Sequence, residues 1–205
     1  MSSVPSIKGS ALLGLFENVK KLLAQGSLSQ AETERWLKPE DIALLEKEAL
    51  VSDWYDIRTY VRMSELLRDV AGGGSNEYLK QRGRQSARRL IEAGLYQQME
   101  YLHNTRLQES SGAQARFEAF GRDLRLLTSL SASILNFSKW EPKPDPDHND
   151  RYVIRVSEAK DFPEVLCWSS EGFLNEMAVE HGEPDFWRWG RPAADLVLFR
   201  MSRGL

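Results

Sequence analysis

The spacing of apolar residues changes near residue 138, and this change constrains the fold more than any other feature of the sequence. Before it, apolar side chains recur every three to four residues, which is the spacing of one face of an α-helix. After it, "RYVIRV" alternates, and "FWRW" and "DLVLFRM" are rich in aromatic and β-branched residues, as strands are. Helices followed by strands predict an α+β fold, in which an N-terminal helical layer packs on a small antiparallel C-terminal sheet.

Residues 1–137 are predicted to be mainly helical. The first amphipathic helix covers "SALLGLFENVKKLLAQG", with Ser10 as its N-cap and Gly26 as its end. Shorter helices follow at "SQAETERWL" and "PEDIALLEKEAL", and another ends at the triple glycine after "DWYDIRTYVRMSELLRDVA". Two longer helices are expected from about 76 to 108 and from about 113 to 137.

Residues 138–205 are predicted to form a strand, a helix and a hairpin. The three prolines of "KWEPKPDPDHND" argue against regular pairing, so we expect a loop there. The helix begins near Pro163 and crosses the sheet, and the hairpin turns at the Gly-Arg-Pro sequence of residues 190–192. At this length both parts fit one domain spanning 1–205.

The composition describes a globular chain without a general attraction for polyanions. Charged residues make up 28% and the formal net charge is -3, which argues against a nucleic-acid partner. No apolar run approaches the roughly 18 residues that span a bilayer, so no membrane span is expected. The single Cys167 cannot form an internal disulfide, and "MSSVPSIKGS" lacks the layout of a secretory signal. We therefore expect a cytoplasmic protein.

The stretch "GGGSNEYLKQRGRQSARRL" invites comparison with phosphate-binding loops, but it lacks the Gly-Lys-Ser/Thr of a Walker loop and the G-x-G-x-x-G pattern. We interpret it as an interhelical turn followed by a helix whose small residues, Gly83 and Ala87, let another element approach closely. Its basic residues Lys80, Arg84 and Arg88 form one stripe at 100° per residue. That stripe is either a solvated flank or a set of anion contacts.

Metal and catalytic signatures are lacking. "DPDHND" does not continue as a calcium loop, because glycine and glutamate are missing from the required positions. The three histidines lie in three separate segments without paired ligand spacing. There is no G-x-S-x-G elbow, and Cys167 sits among apolar neighbours, as an inert thiol does. We expect no metal site and no enzyme.

Several short segments, taken in order, resemble a superfamily of ligand-binding domains. They are "IKGSALLGLFENV", "DWYDIRTYVRMSELL", "GRQSARRLIEAGLY", the strand "RYVIRV", the helix through "EGFLNEM" and the final hairpin. The superfamily includes haem nitric-oxide-binding domains, 4-vinyl-reductase-type domains and TRAPP vesicle-tethering subunits, and the match is closest to a bacterial domain family of myxobacteria. The resemblance implies a helical layer over a four-stranded antiparallel sheet, with an apolar pocket between them in the members that bind ligands.

The resemblance does not extend to the residues that bind haem. Haem-binding members pair a proximal histidine with a Y-x-S-x-R strand motif, whereas this strand carries Tyr152 followed by Ile154 and Val156 at the serine and arginine positions. His103 is the candidate iron ligand, but it does not match the ligand position. We therefore predict no cofactor.

Two functions are favoured by the sequence, and an enzyme of unrecognised type is a third, less supported alternative. The first is a non-catalytic sensory domain that binds a small apolar molecule in a pocket between helices and sheet. Its predicted lining is Phe117, Phe120, Leu124 and Phe173.

The second function is an adaptor module that binds a partner protein or forms a homodimer, with the groove filled by side chains. An exposed aromatic and arginine cluster would supply the contact. Its predicted members are Phe186, Trp187, Arg188, Trp189 and Arg191.

Overall fold

A computed structural model describes residues 4–47, 49–94, 113–179 and 183–205, and the elements below refer to these ranges. The helices are α1 Gly9–Ala24, α2 Gln30–Trp36, α3 Pro39–Glu46, α4 Ile57–Ala71, α5 Asn76–Glu92, α6 Ala113–Ile134 and α7 Glu164–Val179. The strands are β1 Ser6–Lys8, β2 Trp54–Asp56, β3 Lys139–Asp145, β4 His148–Ser157, β5 Trp187–Ala193 and β6 Leu196–Met201.

The C-terminal strands form one antiparallel sheet in the order β3-β4-β6-β5. Along β6 every second residue is buried, and these residues are Val197, Phe199 and Met201. Such alternation means that one face of the sheet packs on the helices while the other faces outward. The predicted α+β fold, with helices first and a four-stranded sheet after them, is confirmed.

Two local predictions about this sheet are wrong. Pro142 and Pro144 lie inside β3, where they oppose Ile154 and Tyr152 of β4. Proline is tolerated there because β3 is an edge strand, with one side that has no ladder partner. The hairpin turns at residues 194–195, and the Gly-Arg-Pro sequence is instead the irregular part of β5.

A second, smaller sheet pairs β1 with β2 and was not predicted. Ile7 of β1 is buried and also forms a bridge to Leu135, just after α6. Because β1 runs to Lys8, α1 begins at Gly9 with Lys8 as its N-cap, and Ser10 lies inside the helix. Three-residue strands are too short to show a period of two, which explains the omission.

The helices α5 and α7 cross at very short distance. A Cβ atom added to Gly83 would lie 1.9 Å from the carbonyl oxygen of Ser169, and one added to Gly172 would lie 2.0 Å from that of Lys80. Only glycine leaves room for such an approach of two backbones. This contact confirms that the small residues of α5 admit another element, which is α7. The predicted continuation of this helix beyond 94 lies outside the described residues.

A buried carboxylate joins α3 to α4. The Asp41 side chain is fully buried and accepts hydrogen bonds from Thr59 Oγ1 at 2.7 Å and Arg62 Nη2 at 2.8 Å. It also accepts one from the backbone N–H of Lys38. Burial alone would raise the pKa of Asp41, but these hydrogen bonds outweigh it and hold the pKa below its ordinary value.

We expect Asp41→Ala to lower the free energy of unfolding by about 3 kcal/mol, because Arg62 and Thr59 lose their partner. Glu40→Ala, one residue away but exposed, should change it by less than about 0.5 kcal/mol. The Asp41 contribution is complete above the ordinary carboxyl pKa of about 4 and declines as the pH falls through the lower folded value. Urea unfolding at several pH values measures both effects, and equal effects of the two variants would contradict this role.

Gly83→Ala should lower the free energy of unfolding by about 2–3 kcal/mol, because the new methyl group must push α7 away from α5. Gly14→Ala is the matched helical control, since its Cβ would meet only the ends of the flexible Arg89 and Arg82 side chains, at 3.2 and 3.9 Å. It should be neutral or stabilise the chain by up to about 1 kcal/mol. Thermal and urea unfolding compare the two, and a neutral Gly83→Ala would refute the close contact.

Candidate functional site

An apolar chamber lies where α6, α7 and β5 meet. Its free volume between the described residues is about 10 Å³, roughly the space of one water molecule. Seven of the eight side chains that line it are apolar. They are Phe120, Leu124, Leu127, Leu174, Met177, Ala178 and Trp187, and the eighth is Asp123.

Aromatic rings pack against one another between α6 and the sheet. The Phe120 ring meets Phe186 edge to face at 5.9 Å and stacks on Trp187 at 6.4 Å between centroids. Phe186 and Trp187 are both fully buried. In this arrangement the chamber therefore has no room for a ligand larger than a water molecule.

Asp123 places a carboxylate in the wall of this apolar chamber. Its side chain is only 2% exposed, although it belongs to a helix with several exposed charged residues. Ligand sites are commonly apolar with a few polar groups that orient the ligand, and Asp123 has that position here. A charged residue between apolar positions gives no sequence signal of burial, so Asp123 was not among the predicted lining residues.

Two side chains of α7 hold the beginning of β5. Asn175 Oδ1 accepts the backbone N–H groups of Phe186 and Trp187 at 2.6 and 2.7 Å, and its Nδ2 donates to the Trp187 carbonyl at 3.1 Å. One turn earlier, Glu171 Oε2 accepts the N–H of Trp189 at 2.8 Å. Both side chains are buried. The Trp187 wall of the chamber is therefore fixed to α7 by hydrogen bonds between these two side chains and the main chain of residues 186–189.

The predicted pocket residues fall in two places. Phe120 and Leu124 line the chamber. Phe117 instead stacks on Tyr152 of β4 with centroids 4.2 Å apart, and Phe173 is half-buried outside the chamber lining. Their contact with a ligand stays a prediction.

The basic stripe of α5 lies beside α7 and the segment before β5, where Lys80 and Arg84 are half-buried and Arg88 stays exposed. Each of its three cations has a carboxylate partner, so an anion would have to compete with that partner. Lys80 also lies over the Trp168 ring, 4.9 Å from its centroid. The pairs are Lys80–Glu171 at 2.9 Å, Arg84–Asp185 at 3.8 Å and Arg88–Glu176 at 2.5 Å.

The predicted interaction cluster is divided between core and surface. Phe186 and Trp187 are buried, so they offer no surface to a partner. Trp189 is half-buried and meets a second indole edge to face, and Arg188 pairs with a neighbouring carboxylate. Arg191 donates to three main-chain carbonyl groups and thereby ties β5 to the turn after β4. A role of this cluster in partner binding stays a prediction.

Within the described ranges, no group of three or more metal-ligating side chains comes together. His148 is exposed, whereas His103 and His181 lie outside the described residues. Burial raises the pKa of the Cys167 thiol to about 12, which keeps it protonated and unreactive at neutral pH. In the same ranges, no helix combines the length and the apolar character needed to cross a bilayer.

Comparison with known proteins identifies the fold. No protein-family model and no curated protein matches the chain. A solved haem protein, studied for modulation of the haem redox potential by porphyrin distortion, is similar with a TM-score of 0.50 and 12% identity, over 95% of this chain and 99% of its own. A single-site mutant of the H-NOX protein from T. tengcongensis is similar with a TM-score of 0.50 and 11% identity, over 97% and 100%. The chain therefore has an H-NOX-like fold.

The prediction of no cofactor is wrong, because one of the solved proteins with this fold is a haem protein. That prediction relied on the absence of the Y-x-S-x-R motif from β4. Proteins can share a fold without sharing such a motif. The described residues nevertheless do not fit haem as they stand. The free volume of the chamber is about 10 Å³, and the inner face of β4 presents buried Tyr152, Ile154 and Val156 in place of the Y-x-S-x-R residues.

We expect Asn175→Ala to lower the free energy of unfolding by about 3 kcal/mol, because two buried N–H groups lose their acceptor. Ser170→Ala, on the same helix, should change it by less than about 0.5 kcal/mol, since that side chain is half-exposed. Hydrogen exchange should show faster exchange at the Phe186 and Trp187 amides only in the Asn175 variant. Unchanged exchange at both amides would contradict this function of Asn175.

Proposed function

We propose that this chain is a non-catalytic sensory domain that binds an apolar ligand in the chamber between α6, α7 and β5. The observation that carries the proposal is the lining itself, in which seven apolar side chains from three elements surround the single carboxylate of Asp123. The H-NOX-like fold supports it, because one of the similar solved proteins is a haem protein. Membership of the myxobacterial family, or of the other groups that the sequence resembles, stays a prediction.

The lining describes the class of ligand. An apolar body would replace the contacts that Phe120 and Trp187 now make with each other. A hydrogen-bond donor or a cationic group on the ligand would meet the Asp123 carboxylate. Haem is the first ligand to test, because a similar solved structure is that of a haem protein. No step of the proposal depends on haem, because the described residues do not fit it at present.

Displacement of Trp187 by a ligand would also affect contacts outside the chamber. Trp187 is attached through its backbone to Asn175 of α7, and Glu171 of the same helix lies 2.9 Å from Lys80 of α5. These contacts connect the chamber wall to the crossing of α5 and α7. A ligand shifts such a contact only if it binds one arrangement more tightly than the other. We infer that the displaced and the undisplaced positions of Trp187 are those two arrangements.

The test compares the native mass and the visible absorbance of the purified protein with its mass after denaturation. We expect extra mass that is lost on denaturation, or uptake of added haemin with a Soret band. Phe120→Trp should abolish the uptake, because the larger ring fills the remaining volume of the chamber. Phe117→Trp is the comparison variant, because Phe117 lies outside the lining: retained uptake would confine the ligand to the chamber, and lost uptake would extend the site to Phe117.

Two results would overturn the proposal. One is a clean mass for the wild type together with no uptake of haemin or of small apolar molecules. The other is full uptake by Phe120→Trp with an intact fold, which would place any ligand elsewhere. Circular dichroism and the unfolding midpoint confirm that both variants are folded before uptake is compared.

A further inference from the structure

Exposed apolar side chains concentrate at the small sheet. Of the six large apolar residues that the described ranges leave exposed, four lie in or beside β1 and β2. Trp54 is 46% exposed, Leu50 63% and Val51 54%, and Val4 precedes β1. Clusters of this kind are uncommon on a surface that contacts only water.

Leu50, Val51 and Trp54 are held close to one another around the beginning of α1. The N–H of Ser10 donates to the Val51 carbonyl at 3.1 Å, and the Leu50 backbone packs directly on Gly9. The three residues therefore form one patch, which we call the β2 patch.

The backbone of β2 shows what kind of partner the patch suits. Ile57 N–H donates to the Pro5 carbonyl and Gly9 N–H donates to the Asp53 carbonyl, both at 2.9 Å. The backbone groups of the odd-numbered residues here therefore point towards β1. Alternate residues of an antiparallel strand point their backbone groups to the other side. Trp54 therefore directs its N–H and C=O away from β1, and no described residue outside the strand pair bonds to them. An open edge of this kind binds another extended strand.

We propose that the β2 patch joins two copies of this chain. The two β2 strands pair antiparallel about a two-fold axis at Trp54, which merges both small sheets into one four-stranded sheet. Each Trp54 exchanges its N–H and C=O with Trp54 of the second copy, because outward-facing residues that stand opposite each other form the hydrogen-bonded pair. The inference does not depend on the chamber or its ligand.

The sequence of β2 suits pairing with itself in this register. Asp53, which directly precedes β2, meets Tyr55 of the second copy, so no like charges stand opposite each other in these pairs. Shifting the axis to Asp56 would instead oppose two carboxylates, at a cost in stability. The Trp54 rings form a cross-strand aromatic pair, flanked on each side by Lys8, whose Nζ lies 5.3 Å from the ring centroid.

Sedimentation and light scattering of the full chain test the proposal from micromolar to near-millimolar concentration. The wild-type mass should rise towards two chains. Trp54→Lys should weaken the association by roughly 30-fold or more, as loss of a central interface tryptophan does. Val179→Lys is the matched control, because Val179 is similarly exposed at 41% but lies on α7, and it should leave the association unchanged.

Disulfide trapping supplies a second measurement of the register. Pairing at the axis sets the two Cα atoms of residue 54 about 5.5 Å apart, within the range of a disulfide. Trp54→Cys should therefore give linked dimers on mild oxidation, whereas Val179→Cys should not. The native Cys167 is buried and does not compete.

A wild-type chain that stays monomeric over the whole range, without trapping at residue 54, overturns the proposal. A dimer that Trp54→Lys leaves intact overturns it as well, because the contact would then lie on another surface. Ligand uptake by the wild type and by Trp54→Lys should be equal, so failure of this proposal is distinguishable from failure of the proposed sensory function.

Discussion

Two backbones meet at the crossing of α5 and α7 with no side chain between them, and the rest of the structure takes its positions from that contact. Gly83 and Gly172 leave no room for even a methyl group at the crossing. At this separation the buried polar side chains of α7, which are Glu171, Asn175 and Glu176, reach α5 or β5. The helix thus becomes a link between the N-terminal layer and β5, which provides the Trp187 wall of the chamber.

The polar residues of α7 use this position in two directions. Glu171 and Glu176 are buried and face the cations Lys80 and Arg88 of α5, while Asn175 and Glu171 reach the backbone of β5. Burial of carboxylates costs free energy that their ion pairs recover only in part. Their value is therefore in fixing how α5, α7 and β5 align, and less in raising stability.

Long periodic elements were predictable from the sequence, and features of a few residues were not. The apolar stripe of α6 identified Phe120 and Leu124, which do line the chamber. The sequence gives no signal that Asp123 and Asn175 are buried, because an isolated polar residue in a helix is typical of a solvated face. The strands β1 and β2 are too short to show a pattern. The expectation about cofactors failed for a different reason, since it relied on a few side chains of one strand where the fold carries the relationship.

The edge strands of the large sheet contain features that disfavour further pairing, whereas the edge strand β2 of the small sheet does not. The outer strands β3 and β5 both contain proline, at Pro142, Pro144 and Pro192, and the pairing of each is irregular at one point. Proline and irregular pairing keep an edge from recruiting further strands. The large sheet is thereby guarded against the indiscriminate stacking that leads to aggregation, even though its strands are rich in aromatic residues. β2 contains no proline and its pairing with β1 is regular. The small sheet can therefore grow at β2, but the strand is short, and pairing with one second copy uses up its free edge.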